Sequence, residues 1–198
     1  MTMSTRVLCL AGSARRDSLN KKLARVAAAA VREAGGEATF IDLGEHPLPI
    51  YHGDLEAEQG VPRAAHELAG LVRSHHALLI ASPENNASVS ALLKNTIDWL
   101  SRIKQPDVFA GRVAALAAAS PGALGGVRGL YHLRAILNTL GCEVIASQFL
   151  LPRAHQAFDA DGQLGDARSR EQLAGLARRL VHAAGVLAAS DVDQSRPV

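Results

Sequence analysis

The chain has 198 residues, 48% of them apolar and 20% charged. That is enough core material for one folded domain and too little charge for disorder. Lys and Arg number 21 against 19 Asp and Glu, a formal balance of +2, without the basic surplus of a nucleic-acid binder. Aromatics make up only 4%, so Ala-rich helices are expected. Cys9 and Cys142 make no disulfide framework, and no apolar run approaches the ~20 residues of a membrane span. The start, Met1-Thr2-Met3-Ser4, has no signal-peptide pattern, so a cytoplasmic protein is expected. The eight histidines are scattered, and no HExxH or CxxC pattern points to a metal.

Apolar runs alternate with helical patterns in chain order. Arg6 to Ala11 reads as a buried strand ending at Gly12. From Ser18, apolar residues recur at helical spacing through Val31, and Gly35-Gly36 stops the helix. Ala38 to Leu43 reads as a second strand, and Gly44 to Gly60, with Pro47 and Pro49, as an irregular connection. Pro62 opens a helix running to about Ser74. Ala77 to Ala81 is a third strand, closed by Ser82-Pro83. Val89 to Leu100 carries a third helix, Val113 to Ala119 a fourth strand, and Gly126 to Leu140 a fourth helix. Val144 to Leu150 is a fifth strand, and Leu173 to Leu187 mark the last helix. The expected unit is one domain over residues 1–190, with a polar tail over 191–198 that frays. Five strands alternating with five helices imply a parallel, doubly wound sheet. Ligands then bind beyond the carboxyl ends of the strands, so the loops after strands one, three and four are the ones to inspect.

The first loop, Gly12 to Asn20, joins a buried strand to a helix N-terminus, where free N–H groups and the helix dipole favour an anion. Ser13, Ser18 and Asn20 add donors, and Arg15 or Arg16 adds charge. It is neither a P-loop nor a GxGxxG fingerprint. The plainer alternative is a turn in which Asp17 or Ser18 caps the helix. The second loop, Ser82 to Ser88, holds a stiffening Pro83 and the amides Asn85 and Asn86, able to pair with a heterocycle edge, or else is a polar turn. The third, Ser120 to Gly126, has three glycines that let a flat ligand approach the backbone, or is simply flexible. All three fall where the fold puts its ligand.

These residues resemble the NADPH-dependent FMN reductases, a flavodoxin-like family that includes quinone, azo-dye and chromate reductases. Gly12-Ser13-x-Arg15-x-x-Ser18-x-Asn20 looks like the family's phosphate loop, and Leu92 to Arg102 like its signature helix. Ser120-x-Gly122-x-x-Gly125-Gly126 matches the fourth loop, and Leu48-Pro49-Ile50-Tyr51 with Asp54-Leu55-Glu56 the segment after the second strand. The resemblance covers roughly residues 7 to 130; beyond it only length and pattern agree. It implies a three-layer α/β flavodoxin-like fold, with a five-stranded parallel sheet in the order 2-1-3-4-5. It also implies FMN held non-covalently, with NADPH or NADH as co-substrate. Ser13, Arg15, Ser18, Leu19 and Asn20 would bind the cofactor at its phosphate end. Pro83, Glu84, Asn85, Asn86 and Ser88 would line the isoalloxazine, and Ser120 and Gly122 would flank it. No catalytic side chain is assigned, because the flavin carries the chemistry. Family members are dimers or tetramers, so Trp99 and Arg102 are candidate interface residues, with a buried core position the alternative for Trp99.

One departure stands out. The family's second loop usually reads Pro-Glu-Tyr-Asn-Gly, and here the residues are Pro83-Glu84-Asn85-Asn86-Ala87. The lost aromatic contact is worth about 0.5–1.5 kcal/mol, up to roughly tenfold in affinity. The expected activity is two-step hydride transfer, from NAD(P)H to flavin and then to a flavin, quinone or similar small-molecule acceptor. Three rivals keep the fold. One is an electron carrier, which the +2 balance disfavours; another is a binding or regulatory module with a weakened flavin site. The third is a nicotinamide-binding domain with Asp42 reading a ribose, although Asp42 also suits a turn cap.

Overall fold

A computed structural model describes residues 4–194. Five strands run Arg6–Ala11 (β1), Glu37–Asp42 (β2), Ala77–Ala81 (β3), Val113–Ala119 (β4) and Glu143–Leu151 (β5). Six helices run Leu19–Glu33 (α1), Gly53–Gln59 (α2), Arg63–Arg73 (α3), Ala91–Leu100 (α4), Val127–Thr139 (α5) and Ala167–Gln194 (α6). Every pairing is parallel, and the sheet order is β2-β1-β3-β4-β5. This is the flavodoxin-like order expected from the resemblance. The chain runs one way from β1 to β2 and the other way from β3 onward, so the loops after β1 and β3 part at a switch point.

The core follows from strand alternation. Val7, Cys9 and Ala11 pack under α1 and α6, whereas Leu8 and Leu10 face α3, α4 and α5. β3 and β4 are buried along their whole length, as central strands covered on both faces must be. Alanines Ala24, Ala27 and Ala28 of α1 are almost fully buried, which lets the helix backbone sit close to the sheet. The thiols of Cys9 and Cys142 are buried and pushed up to about 12, chiefly by that burial.

The strand boundaries agree with the sequence pattern to within a residue. The stretch from 44 to 60 does not: it contains a short 3-10 turn, Leu43–Glu45, and the seven-residue helix α2. α2 buries no residue, so it leaves no apolar period in the sequence to find. His52 caps it, Nδ1 accepting from the Leu55 N–H at 3.2 Å. α6 begins six residues before Leu173 because the Asp166 carboxylate accepts from both the N–H and the hydroxyl of Ser169. Its last turn includes residues 191–194; residues 195–198 of the expected tail lie outside the described residues.

Candidate active-site cleft

A cleft of about 580 Å³ lies beyond the carboxyl ends of β1, β3 and β4, within the range of sites for cofactor-sized ligands. Ser13, Arg15, Ser18, Leu19 and Asn20 of the first loop line it, with Pro83, Glu84 and Asn85 of the second and Ser120 of the third. Asn86 and Ser88 line a neighbouring groove between α4 and α5, reached past Asn85. Gly122 lies behind Ser120, its N–H donating to Ser120 Oγ at 3.2 Å.

Three serines in the cleft share one arrangement. Ser13 Oγ accepts from the Arg15 N–H at 3.3 Å, Ser18 Oγ from the Lys21 N–H at 3.3 Å, and Ser120 Oγ from the Gly122 N–H. A hydroxyl has one donor and two acceptor sites, so each keeps its O–H for a ligand. Ser18 is thus the N-cap of α1, as one reading of the loop expected. The backbone N–H groups of Leu19 and Asn20, in the first turn of α1, have no protein partner among the described residues. Open helix-end donors and free hydroxyls in one cleft suit a phosphate.

The Asn20 side chain is engaged within the protein, while its backbone N–H stays open to the cleft. It is buried, its Nδ2 donating to Ala119 O at 2.8 Å and its Oδ1 accepting from the Ala119 N–H at 2.9 Å. The reason lies in the sheet. Ser82 still donates to Ala117 O at 2.8 Å, but Pro83 turns the chain away, so Ala119, two residues on, has no β3 partner. The carboxamide presents the same donor and acceptor as a strand residue and fills that position.

The loops are locked from below. Ser90 caps α4, its Oγ accepting from the Leu93 N–H at 3.2 Å and donating to Gly12 O at 2.6 Å. Gly12 is tightly enclosed, since a Cβ there would lie 3.0 Å from Leu93 and 3.3 Å from Pro83 and would have to push them back. Glu84 accepts from the Arg128 N–H at 3.0 Å and from Arg128 Nε at 2.7 Å. Burial works to raise its carboxyl, and these bonds with the Gly129 amide outweigh it, holding it below the usual range. Its carboxylate therefore caps α5 while its stem lines the cleft. Asn86 and Ala87 both have positive φ, 48° and 63°. Asn85 and Ser88 exchange two backbone hydrogen bonds of 3.0 Å around them, the pattern of a type I′ turn.

Lys21 is withdrawn from the cleft. Its ammonium sits 2.6 Å from Asp42, both nearly buried. Asp42 also accepts from the Gly44 N–H at 2.9 Å, which makes it the turn cap rather than a ribose ligand. Burial tends to raise the Asp42 carboxyl, and Lys21 and the Gly44 amide prevail, keeping it below its ordinary value.

The signature helix clamps the segment after β2. Trp99 is fully buried and donates from Nε1 to Pro49 O at 2.7 Å, with Tyr51 edge-on at 5.0 Å. Asn95 Nδ2 donates to Pro49 O and its Oδ1 accepts from the Tyr51 N–H. Arg102 pairs with Glu56 at 2.9 Å, and the Tyr51 hydroxyl donates to the same carboxylate at 3.0 Å. Of the two readings of Trp99 the buried one holds, and Arg102 is engaged within its own chain. The sequence signalled neither Ser90's bond to Gly12 nor His155, which lines the cleft from the turn after β5. His155 lies in the C-terminal third, where no motif marks it.

The model of the NADPH-dependent FMN reductase family matches residues 5–156. A probable NADPH:quinone oxidoreductase of Oryza sativa is 38% identical over 173 residues, 85% of this chain and 83% of that protein. An NAD(P)H-dependent FMN reductase of Pseudomonas aeruginosa is 37% identical over 177 residues, 86% and 90% of the two chains. The structure of FerB, a flavoenzyme NAD(P)H:(acceptor) oxidoreductase from Paracoccus denitrificans, is similar at a TM-score of 0.79 and 29% identity, covering 91% of this chain and 97% of that one. The chain belongs to the NADPH-dependent FMN reductase family.

Proposed function

We propose that the cleft holds FMN by its phosphate at the first turn of α1 and lays the ring against Pro83, Glu84 and Asn85, with a quinone as the second substrate. The chain is an FMN-dependent NAD(P)H oxidoreductase, as its family membership and its quinone- and FMN-reducing relatives indicate. The observation that carries the cofactor site is the donor set: the free N–H groups of Leu19 and Asn20 beside the unused O–H donors of Ser13, Ser18 and Ser120. FMN when bound supplies the hydride chemistry between NAD(P)H and acceptor. The protein's share is placement. The Ser13 and Ser18 hydroxyls and the Arg15 guanidinium bind the phosphate. Pro83, which has no N–H, and the I′ turn behind it fix the second loop as a wall. The Ser90–Gly12 bond and the Glu84 cap hold in place the loops that border the cleft.

Asn86 and Ser88, in the groove that opens past Asn85, reach the ring edge or the second substrate rather than the phosphate. One FMN-binding unit comprises the chain, which works in the cytoplasm as a homodimer or homotetramer; among the described residues no helix is long and apolar enough to cross a membrane. The test is to purify the protein, record its absorbance for oxidised flavin, and follow NADPH and NADH oxidation with a quinone. Colourless protein that takes up no added FMN overturns the reading.

A further inference from the structure

The cleft's supply of positive charge is small for a dianion. A phosphate monoester carries a charge of about −1.5 to −2 at pH 7. The charged side chains that line the cleft are Arg15, Asp17 and Glu84. Glu84 is matched by Arg128, and Asp17 offsets Arg15. Lys21, the next cation along α1, is bound to Asp42. Among the described residues Arg15 is then the one permanent cation lining the cleft, and neutral donors carry the rest of the phosphate.

His155 is the remaining cleft-lining side chain able to carry positive charge. Its imidazole makes no hydrogen bond to the protein among the described residues, and the side chain is exposed. The backbone leading into it is nonetheless held. The Ala154 N–H donates to Ser120 O at 3.0 Å and the Arg153 N–H to Gly122 O at 3.3 Å, while the Ala154 side chain is fully buried. Arg153 takes a φ of +49° to make this turn, a conformation that ordinary side chains adopt only under outside constraint. The same step of β4 anchors α1 from the other side, because Asn20 is bound to Ala119. The open end of α1 and the backbone that carries His155 are therefore both tied to Ala119–Ser120, and both line one cleft.

We propose that His155 is a further phosphate ligand of the cofactor site, facing Arg15 and the α1 amides across the phosphate and supplying the charge that Lys21 does not. The inference rests on the FMN reading of the cleft. The test is titration of the flavin-free full-length protein with FMN and, separately, with riboflavin, which has the same ring and ribityl chain without the phosphate. His155→Ala weakens FMN binding by about tenfold, the scale of one charge-assisted hydrogen bond. Riboflavin binding stays within about twofold, and His155→Lys recovers most of the FMN loss. Equal loss for the two flavins puts the imidazole on the ring or ribityl chain and overturns the proposal, as does unchanged FMN affinity. A wild-type protein that binds neither flavin fails earlier, with the cofactor site itself.

Discussion

Asn20→Ala tests whether a side chain completes the sheet. The Asn20 carboxamide answers both the N–H and the C=O of Ala119, at 2.9 and 2.8 Å, in a buried setting. Truncation leaves two backbone groups without partners, each worth about 1–3 kcal/mol. The adjoining cleft admits water to part of the gap, so the expected loss is about 2–4 kcal/mol. For a chain of this length that lowers Tm by about 5–15 °C. Urea and thermal unfolding of the flavin-free protein measure it, with the m-value unchanged. Asn20→Asp keeps an acceptor for the N–H but sets a carboxylate against the carbonyl, and should be at least as harmful. If flavin-free Asn20→Ala is within about 0.5 kcal/mol of wild type while FMN affinity collapses, Asn20 is a cofactor ligand and the sheet argument is wrong.

Ala87→Gly relieves a non-glycine residue at φ 63°; the left-handed penalty of about 1–2 kcal/mol exceeds the added chain entropy of glycine, so the urea midpoint should rise by up to about 1 kcal/mol, and a fall refutes the turn assignment. Gly126→Ala combines a φ of +89° with a Cβ only 2.8 Å from that of Ala118, and should cost about 2–4 kcal/mol, measured by the same unfolding. Asp42 has a carboxyl held below its unfolded value of about 3.9. Its contribution is thus present above that pH and lost as pH falls through the folded value. Asn in its place should flatten the loss of stability expected of wild type as the pH falls from about 5 to about 3; parallel curves would refute the pairing with Lys21. Asn85→Tyr, which restores an aromatic at the ring wall, should tighten FMN by up to roughly tenfold, read by fluorescence titration; weaker binding would mean that Asn85 itself bonds the flavin.

The layered architecture and the place of the candidate cleft were legible in the residues alone. β1, β3 and β4 are short apolar runs that only a sheet covered on both faces can hide, and helices such as α1, α3 and α5 bury a stripe set by the 3.6-residue period. Loops such as Ser13 to Ser18 and Pro83 to Asn85 could be picked out because strand ends are where backbone donors go unpaired. Partnerships across the fold were decided by tertiary structure alone, because they join residues that no local pattern connects. Asn20 reads as a loop donor until β3 is seen to turn off at Pro83 and leave Ala119 without a partner on that side of the sheet. Trp99 reads equally well as an interface or a core residue until Pro49 and Tyr51 are found packed on it. His155, 135 residues from Asn20 in the chain, enters the cleft only because the turn after β5 is bonded to Ser120.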